Sequence, residues 1–413
     1  MNFLTAKKKD KLRDINSYIL IIIAFSIPIS VAFVNILLVL IILNWVFIAN
    51  FKEDWKELKN NKVVWAVFIY VAISFFGLLW TNSLEFGLGM FKKDIKFLLI
   101  PIFMLFVKKA HIKYYIYAFL TAMTISEILS YSIYFEIIPP FNHATVYDPT
   151  PFLFHTKYNP LLTMSIYILL FYTLLSNTLN KKQKIIYSFF IITMSINMFI
   201  TGGRAGQVMY FAMIIVVLFQ YFEKQRLKAI IFSIFAIPLI LTIAYNSSSI
   251  FHNRVNKVYT DISEFQTNKD TSVGNRINLT VNSWEIIKEN PIIGVGTGGF
   301  VNSYKEVHMR LTPEATTLWS SHPHNMYILK YVELGILGLF SLLLILIIPV
   351  VQSIKSKDKI IRNLGVTMPL LFALIMLSDT YLLANTTTIF FVLFSSFLYK
   401  DYNSQKTQHK VTT

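Results

Sequence analysis

Residues 325–350 read NMYILKYVELGILGLFSLLLILIIPV, and only Lys330 and Glu333 carry charge in that run. A helix rises about 1.5 Å per residue, so the run is long enough to cross a hydrocarbon core of about 30 Å. Moving outward, comparable apolar stretches occupy 17–31, 33–50, 63–80, 97–107, 114–137, 160–175, 185–201, 207–222 and 228–245 upstream, and 364–384 and 386–399 downstream. The first two are one apolar run that Pro28 divides, because proline interrupts a helix ladder. Segment 97–107 is short and is expected to extend back through Phe91. Composition agrees: 55% of the 413 residues are apolar and 15% charged, whereas a soluble domain carries roughly a quarter charged residues. The reading is an all-α polytopic membrane protein with about twelve transmembrane helices. Cysteine is absent, which excludes thiolate zinc sites, disulfide frameworks and cysteine nucleophiles.

The formal charge of +16 would suggest nucleic acid in a soluble protein. Here its placement sets topology instead. With both termini in the cytoplasm, the inside segments hold 25 of the 38 Lys and Arg residues and the outside segments 12, with Lys330 inside a span. That asymmetry orients the chain, and a membrane topology excludes a nucleic-acid partner. No cleavable signal peptide or fixed-period repeat is apparent, so an inverted-repeat transporter finds no support. The chain divides into spans one to nine (1–245), an outer loop (246–323), spans ten to twelve (324–400) and a polar cytoplasmic tail (401–413) expected to be disordered.

A loop of that length needs structure of its own. Ile277, Val281, Trp284 and Ile287 fall at helical spacing, and Asn290-Pro291 ends the pattern, so the loop is expected to be mainly helical. The glycine-rich stretch 294–299 lacks the Lys-Ser/Thr of a nucleotide P-loop. A tight turn that folds the loop back onto the bilayer surface is the plainer reading. Six of eight histidines fall on the outer side: His143, His155, His252, His308, His322 and His324. His322-Pro323-His324 offers two metal ligands, but no third stands at a recognisable spacing, so neither metal nor other cofactor is expected.

Three outer motifs carry chemistry. In Thr201-Gly202-Gly203-Arg204-Ala205-Gly206, an arginine is bracketed by glycines. Its fork suits phosphate oxygens and the glycines permit close approach of a ligand; a snorkelling arginine at a hairpin is the bland alternative. Gly274-Asn275-Arg276 opens the loop helix, where a cation opposes the dipole and calls for an anion. That anion is either a substrate phosphate or a nearby carboxylate such as Glu264, Asp270 or Glu285. His324-Asn325 marks where span ten leaves the outer surface; a helix N-terminus there favours a neutral imidazole able to accept a proton. Gly335 and Gly338 lie below and would let a neighbouring helix pack closely. Glu333 is a functional candidate by its depth, or simply a partner of Lys330.

The arrangement His-Asn-x9-Gly-x-x-Gly, at His324, Asn325, Gly335 and Gly338, resembles the signature shared by bacterial O-antigen ligases, the protein O-oligosaccharyltransferases and, more loosely, the O-antigen polymerases. Gly274-Asn275-Arg276 through Trp284, and Asn290-Pro291 to Phe300, also resemble that family's large periplasmic loop. The resemblance implies a GT-C-like glycosyltransferase in the bacterial inner membrane, with its active site at the periplasmic face. The implied donor is a glycan on undecaprenyl diphosphate and the implied acceptor is lipid A–core oligosaccharide. By motif match, Arg204 and Arg276 would hold the diphosphate and His324 would be the catalytic residue in a metal-free inverting transfer.

That chemistry agrees with the residues. A departing diphosphate needs its charge stabilised, outer carboxylate clusters suited to a cation are sparse, and two arginines supply the missing charge. His324 would deprotonate or merely orient the acceptor hydroxyl. Lys92, Lys93 and Lys96 break the positive-inside pattern and either attract phosphates or belong to an amphipathic interfacial helix. Trp80, Tyr158 and Trp319 read as interfacial belt aromatics first and sugar platforms second, and Asp379 is a further polar candidate. An O-antigen polymerase, a protein O-oligosaccharyltransferase and a transporter of the same lipid remain the competing readings, alongside general contact with membrane lipids.

Overall fold

A computed structural model describes residues 6–263, 271–313 and 320–402. Glu264, Asp270, Trp319 and the tail beyond residue 402 lie outside the described residues. Among those described, the chain is helical, with no strand beyond an isolated bridge between Thr145 and Asp148. The first half comprises α1 (Ala6–Ser26), α2 (Val31–Ile48), α3 (Phe51–Leu58), α4 (Lys62–Phe76), α5 (Leu84–Asp94), α6 (Leu99–Phe106), α7 (Ile112–Tyr134) and α8 (His155–Leu170). Then follow α9 (Lys181–Ile200), α10 (Arg204–Tyr221), α11 (Arg226–Ser247), α12 (Ser249–Ser263), α13 (Ser272–Glu289), α14 (Phe300–Leu311), α15 (Met326–Ile354), α16 (Lys359–Ile375) and α17 (Asn385–Leu398).

Eight helical stretches among the described residues are long and apolar enough to cross a membrane: those of α2, α4, α7, α8, α9, α10, α11 and α15. The remaining four expected spans take other forms. The first becomes α1, which begins in charged sequence and stops before Pro28; Ser30 then caps α2 by accepting from the Phe33 N–H at 3.2 Å. Segment 97–107 does not continue one helix back through Phe91: a 3-10 turn at Ile95–Leu98 separates α5 from α6. Stretch 364–384 is helical only to Ile375, and its apolar remainder forms a turn that carries Asp379. Helix α17 is apolar but short.

The loop 246–323 supplies α12, α13 and α14, and the helical period read at Ile277, Val281, Trp284 and Ile287 falls within α13. Its glycine-rich stretch does not lie on a surface. Gly294, Gly296 and Gly298 all have positive φ, and the segment is buried between α4 and α15. The reason lies in α15, whose ladder is broken at Gly335 (φ 61°, ψ −156°), a conformation essentially restricted to glycine. The break strands backbone polar groups at membrane depth, which is tolerated only where protein satisfies them. Val295 N–H donates to Val332 C=O at 3.0 Å, Gly296 N–H to Glu333 C=O at 2.8 Å, and Ile336 N–H to Pro291 C=O at 3.0 Å. At the far edge of the same segment, Thr297 N–H donates to Gly77 C=O at 3.0 Å and its hydroxyl to Ser74 C=O at 2.6 Å.

A buried charge cluster fastens the same junction. Lys330 donates to Asp94 at 2.6 Å and stands 3.6 Å from Glu333, and all three side chains are fully buried. Tyr70 and Ser74 of α4 also donate to Asp94, and the Gly298 N–H donates to Glu333 at 2.9 Å. Glu333 therefore has a structural account, and the pairing with Lys330 is the reading that holds. Gly335 packs on the loop rather than on a neighbouring spanning helix: an added Cβ would stand 2.1 Å from the Ile292 carbonyl oxygen. At Gly338 it would meet Lys330 O at 2.5 Å, within α15 itself.

Replacing Lys330 by Met leaves two buried carboxylates without their cation and is expected to cost about 3–5 kcal/mol. Gly335→Ala should cost roughly 2–4 kcal/mol from backbone conformation and overpacking together. Thermal unfolding in detergent should show both losses; a melting temperature unchanged in either variant would contradict the account of this junction.

Candidate active site

Helices α8 and α10 meet at Asn159, and that contact explains the glycines around Arg204. A Cβ on Gly206 would lie 2.2 Å from Asn159 Cβ, and one on Gly203 2.6 Å from Asn159 Nδ2. Asn159 donates to Gly203 C=O at 3.3 Å and accepts from the Thr201 hydroxyl at 2.8 Å. These two glycines therefore serve close helix packing first, and Arg204 opens α10 immediately beside it. Gly202 and Gly203 also line a cleft.

That cleft, about 490 Å³, brings together Arg204, Arg276, Arg254, His155, Asp379 and Tyr381. Arg276 is exposed near the start of α13, where Thr271 accepts from the Gly274 N–H at 3.0 Å and caps the helix. Arg276, Arg254 and Asp261 are the charged neighbours that act on Arg204. Arginine forks converging on a cleft make a site for phosphate oxygens.

The Asp379 wall leads to the histidines. His324 stands just ahead of α15 with φ 50°, in the left-handed region. Asn325 is the cap, accepting from Tyr327 N–H at 2.9 Å and Ile328 N–H at 3.1 Å, while its amide donates to Leu377 C=O at 3.2 Å. Asn325 thus ties the start of α15 to the turn after α16 and brings His324 Nδ1 within 3.3 Å of Asp379. An ionised carboxylate at Nδ1 accepts the N–H of that nitrogen, which leaves Nε2 as the acceptor atom of the ring. Burial raises the Asp379 carboxyl, but the His324 bond, the Thr380 N–H and the nearby imidazoles outweigh it and hold the group below its ordinary value.

His322, His324 and Asp379 bring three ligand atoms within 4.8 Å of one another, a group able to hold a metal ion. No third ligand stands at a recognisable sequence spacing; the fold supplies one, since Asp379 arrives from beyond α16. Against a metal, His322 Nδ1 already accepts the His324 N–H at 3.3 Å. Burial lowers His322 to about 4, with His324 and Lys93 acting in the same direction and Asp379 opposing.

The lysines divide. Lys92 and Lys93 are exposed at the end of α5, and Lys93 is close enough to act on His322. Lys96 is half-buried and donates to Asn385 at 2.5 Å. Among the belt aromatics, Tyr158 is buried and donates to Asn197 at 2.9 Å, so it does not sit at an interface; Trp80 donates to Ile293 C=O at 3.2 Å and pins the glycine segment. Sequence reasoning gave no role to His155, Asp148 or Arg254. Their one legible signal was that six of the eight histidines, His155 among them, fall on the side assigned as outer.

Residues 189–343 match the family model described as O-antigen ligase, which supports an O-antigen ligase-like family and a ligase- or polymerase-type membrane enzyme. The matched range includes Arg204, Arg254, Arg276, His324, Asn325, Gly335 and Gly338, but not His155 or Asp379. The chain is also similar to an uncharacterized protein of Haemophilus influenzae, 29% identical over 202 residues covering 46% of this chain and 50% of the relative. It thus spans about half the length of the curated relative it matches.

Because His322 falls from 6.5 to about 4 on folding, the unfolded chain takes up a proton across that window and the folded chain does not. The stability contribution of neutral His322 is complete above pH 6.5 and is lost as pH falls toward 4. Between about pH 7.5 and 5 the loss from this group should reach roughly 2 kcal/mol. His322→Gln should flatten that part of the thermal-unfolding profile, and an identical profile in the variant would count against the assignment.

Proposed function

We propose that the chain is an O-antigen ligase, transferring a glycan from undecaprenyl diphosphate to lipid A–core oligosaccharide at the periplasmic face of the bacterial inner membrane. The reading includes a GT-C-like architecture of about twelve spans with both termini in the cytoplasm. One observation supports it above the others: Arg204 and Arg276 line a single cleft whose wall, Asp379, also holds His324.

In this reading the acceptor hydroxyl oxygen attacks the anomeric carbon from the face opposite the diphosphate. The bond from that carbon to the phosphate oxygen breaks, and its electron pair leaves with undecaprenyl diphosphate. Arg204 and Arg276 take the charge that accumulates on the leaving group, as oriented cations do at developing anions. The hydroxyl proton passes to His324 Nε2. A sugar hydroxyl is far less acidic than imidazolium, so proton transfer comes late, after C–O bond formation has acidified the oxygen. Asn325 sets the loop geometry and Asp379 the tautomer. Lys92 and Lys93 supply positive charge at the rim for phosphates of either substrate.

Arg204→Ala and Arg276→Ala should each reduce glycan transfer by roughly 100- to 1,000-fold, and His324→Ala by roughly 100- to 10,000-fold, with membrane levels of the protein unchanged. Full activity in the His324 variant would remove its role. With purified lipid-linked donor, the product should be glycan on lipid A–core. Glycan on lengthened carrier lipid would instead identify a polymerase, and glycan on protein an oligosaccharyltransferase. EDTA should leave the rate unchanged; inhibition reversed by a divalent cation would assign the His322–His324–Asp379 cluster to a metal.

A further inference from the structure

The cleft has a second basic edge that the transfer mechanism leaves without a task. Arg254, from α12, and His155, at the start of α8, both line it. Asp148 binds His155 Nδ1 at 2.5 Å through one carboxylate oxygen and accepts the Gly202 N–H at 3.2 Å through the other. Both oxygens are thereby committed to holding the imidazole against the Gly202 turn, and Nε2 is the ring nitrogen left for a ligand, donating to a phosphate oxygen when the ring carries both protons. Burial raises the Asp148 carboxyl, but His155, the Gly202 N–H and Arg254 bring it below its ordinary value, so it is an anion at neutral pH.

Gly202 lets the guanidinium and the imidazole share this edge. A Cβ there would lie 2.8 Å from the Arg254 guanidinium nitrogen and 3.5 Å from His155 Nδ1. Any other residue would push the fork away from the imidazole. Charge points the same way. Of the cleft's lining residues, Arg204, Arg254 and Arg276 are cations and Asp379 is the anion, while Asp148 and Asp261 act on Arg254 and Arg204 from outside the lining. A glycosyl lipid diphosphate carries two negative charges, one on each phosphate, whereas a lipid monophosphate gathers its charge on a single phosphate.

We infer that Arg254 and His155, the latter positioned by Asp148, form a second phosphate subsite that makes the cleft select a lipid diphosphate over a lipid monophosphate. The inference rests on the lipid-diphosphate reading above and adds the residues that count the phosphates.

The test is equilibrium binding to the purified full-length chain in detergent, with undecaprenyl diphosphate, undecaprenyl monophosphate and phosphatidylglycerol as separate probes. The wild type should prefer the diphosphate by about tenfold or more, the return expected from one additional charge-assisted contact. Arg254→Gln and His155→Asn should each lose most of that preference by weakening diphosphate binding while leaving monophosphate binding as it is. Arg254→Lys, which keeps charge but not the fork, should retain part of it. Thermal unfolding of each variant separates misfolding from loss of the contact, and a merely structural role would weaken both lipids in parallel.

Variants that discriminate as the wild type does, or that lose both lipids together, overturn the subsite while leaving the donor reading intact. A wild type that binds the diphosphate no better than the monophosphate overturns it too. Phosphatidylglycerol bound as tightly as the diphosphate would mark a headgroup site instead. A wild type that binds neither undecaprenyl lipid would overturn the donor reading along with the subsite.

Discussion

A helix that must break inside a membrane protein has to find partners for the backbone groups it frees, and most of what positions this molecule's site follows from how α15 does so. Gly335 interrupts the ladder, and the chain between α13 and α14 enters to complete it from the side. Four glycines in six residues allow that entry, because the segment passes within backbone distance of Thr81, Gly87 and Glu333. The Asp94–Lys330–Glu333 cluster then fixes depth and rotation: Lys330 reaches Asp94 on one side, and Glu333 receives the Gly298 N–H on the other. A buried cluster of this kind is weak evidence for net stability, since desolvation consumes much of the attraction. Its contribution here is to define one register for α4, α5, α15 and the loop.

That register matters for the cleft because the loop helices hang from it. Helix α13 carries Arg276 at its start and runs directly into the glycine segment at its end. Seating the segment between α4 and α15 therefore constrains where α13 begins, and its packing against α15 holds Leu279, Ile286 and Ile287 buried. From the opposite direction, Asn159 lets α10 approach α8 closely enough for Arg204 to open on the same space. Two independent packing solutions thus converge two arginines that are far apart in sequence. The short lysine- and arginine-bearing segments that the charge pattern assigns to the cytoplasmic side supply no residue to the lining of the cleft.

The histidine end of the site obeys a different constraint. The Asn325 side chain caps α15 and bonds the turn beyond α16, while the Met326 N–H donates to Met376 C=O at 2.9 Å. His324 is left in a left-handed conformation against Asp379. A strained residue held this firmly is characteristic of functional sites, and the carboxylate gives the ring one orientation and one tautomer.

Hydrophobic run length, the Pro28 division, the helical period of the outer loop and its Asn290 stop were all legible in the sequence, because each depends on neighbours within a turn or two. So were Arg204, Arg276 and His324 as candidates, through local motifs. Asp379 was visible only as a polar residue in an apolar stretch, and its partnership with His324 was not, since that contact joins the turn after α16 to the start of α15. The glycine pair in α15 and the glycine-rich loop were each noticed separately, and only the fold reveals that they are two halves of one junction. His155, Asp148 and Arg254 had no motif at all. Sequence determines what local periodicity, charge and chain stiffness can encode; which distant polar groups meet was decided by tertiary packing, because buried backbone and charge must find partners wherever the fold supplies them.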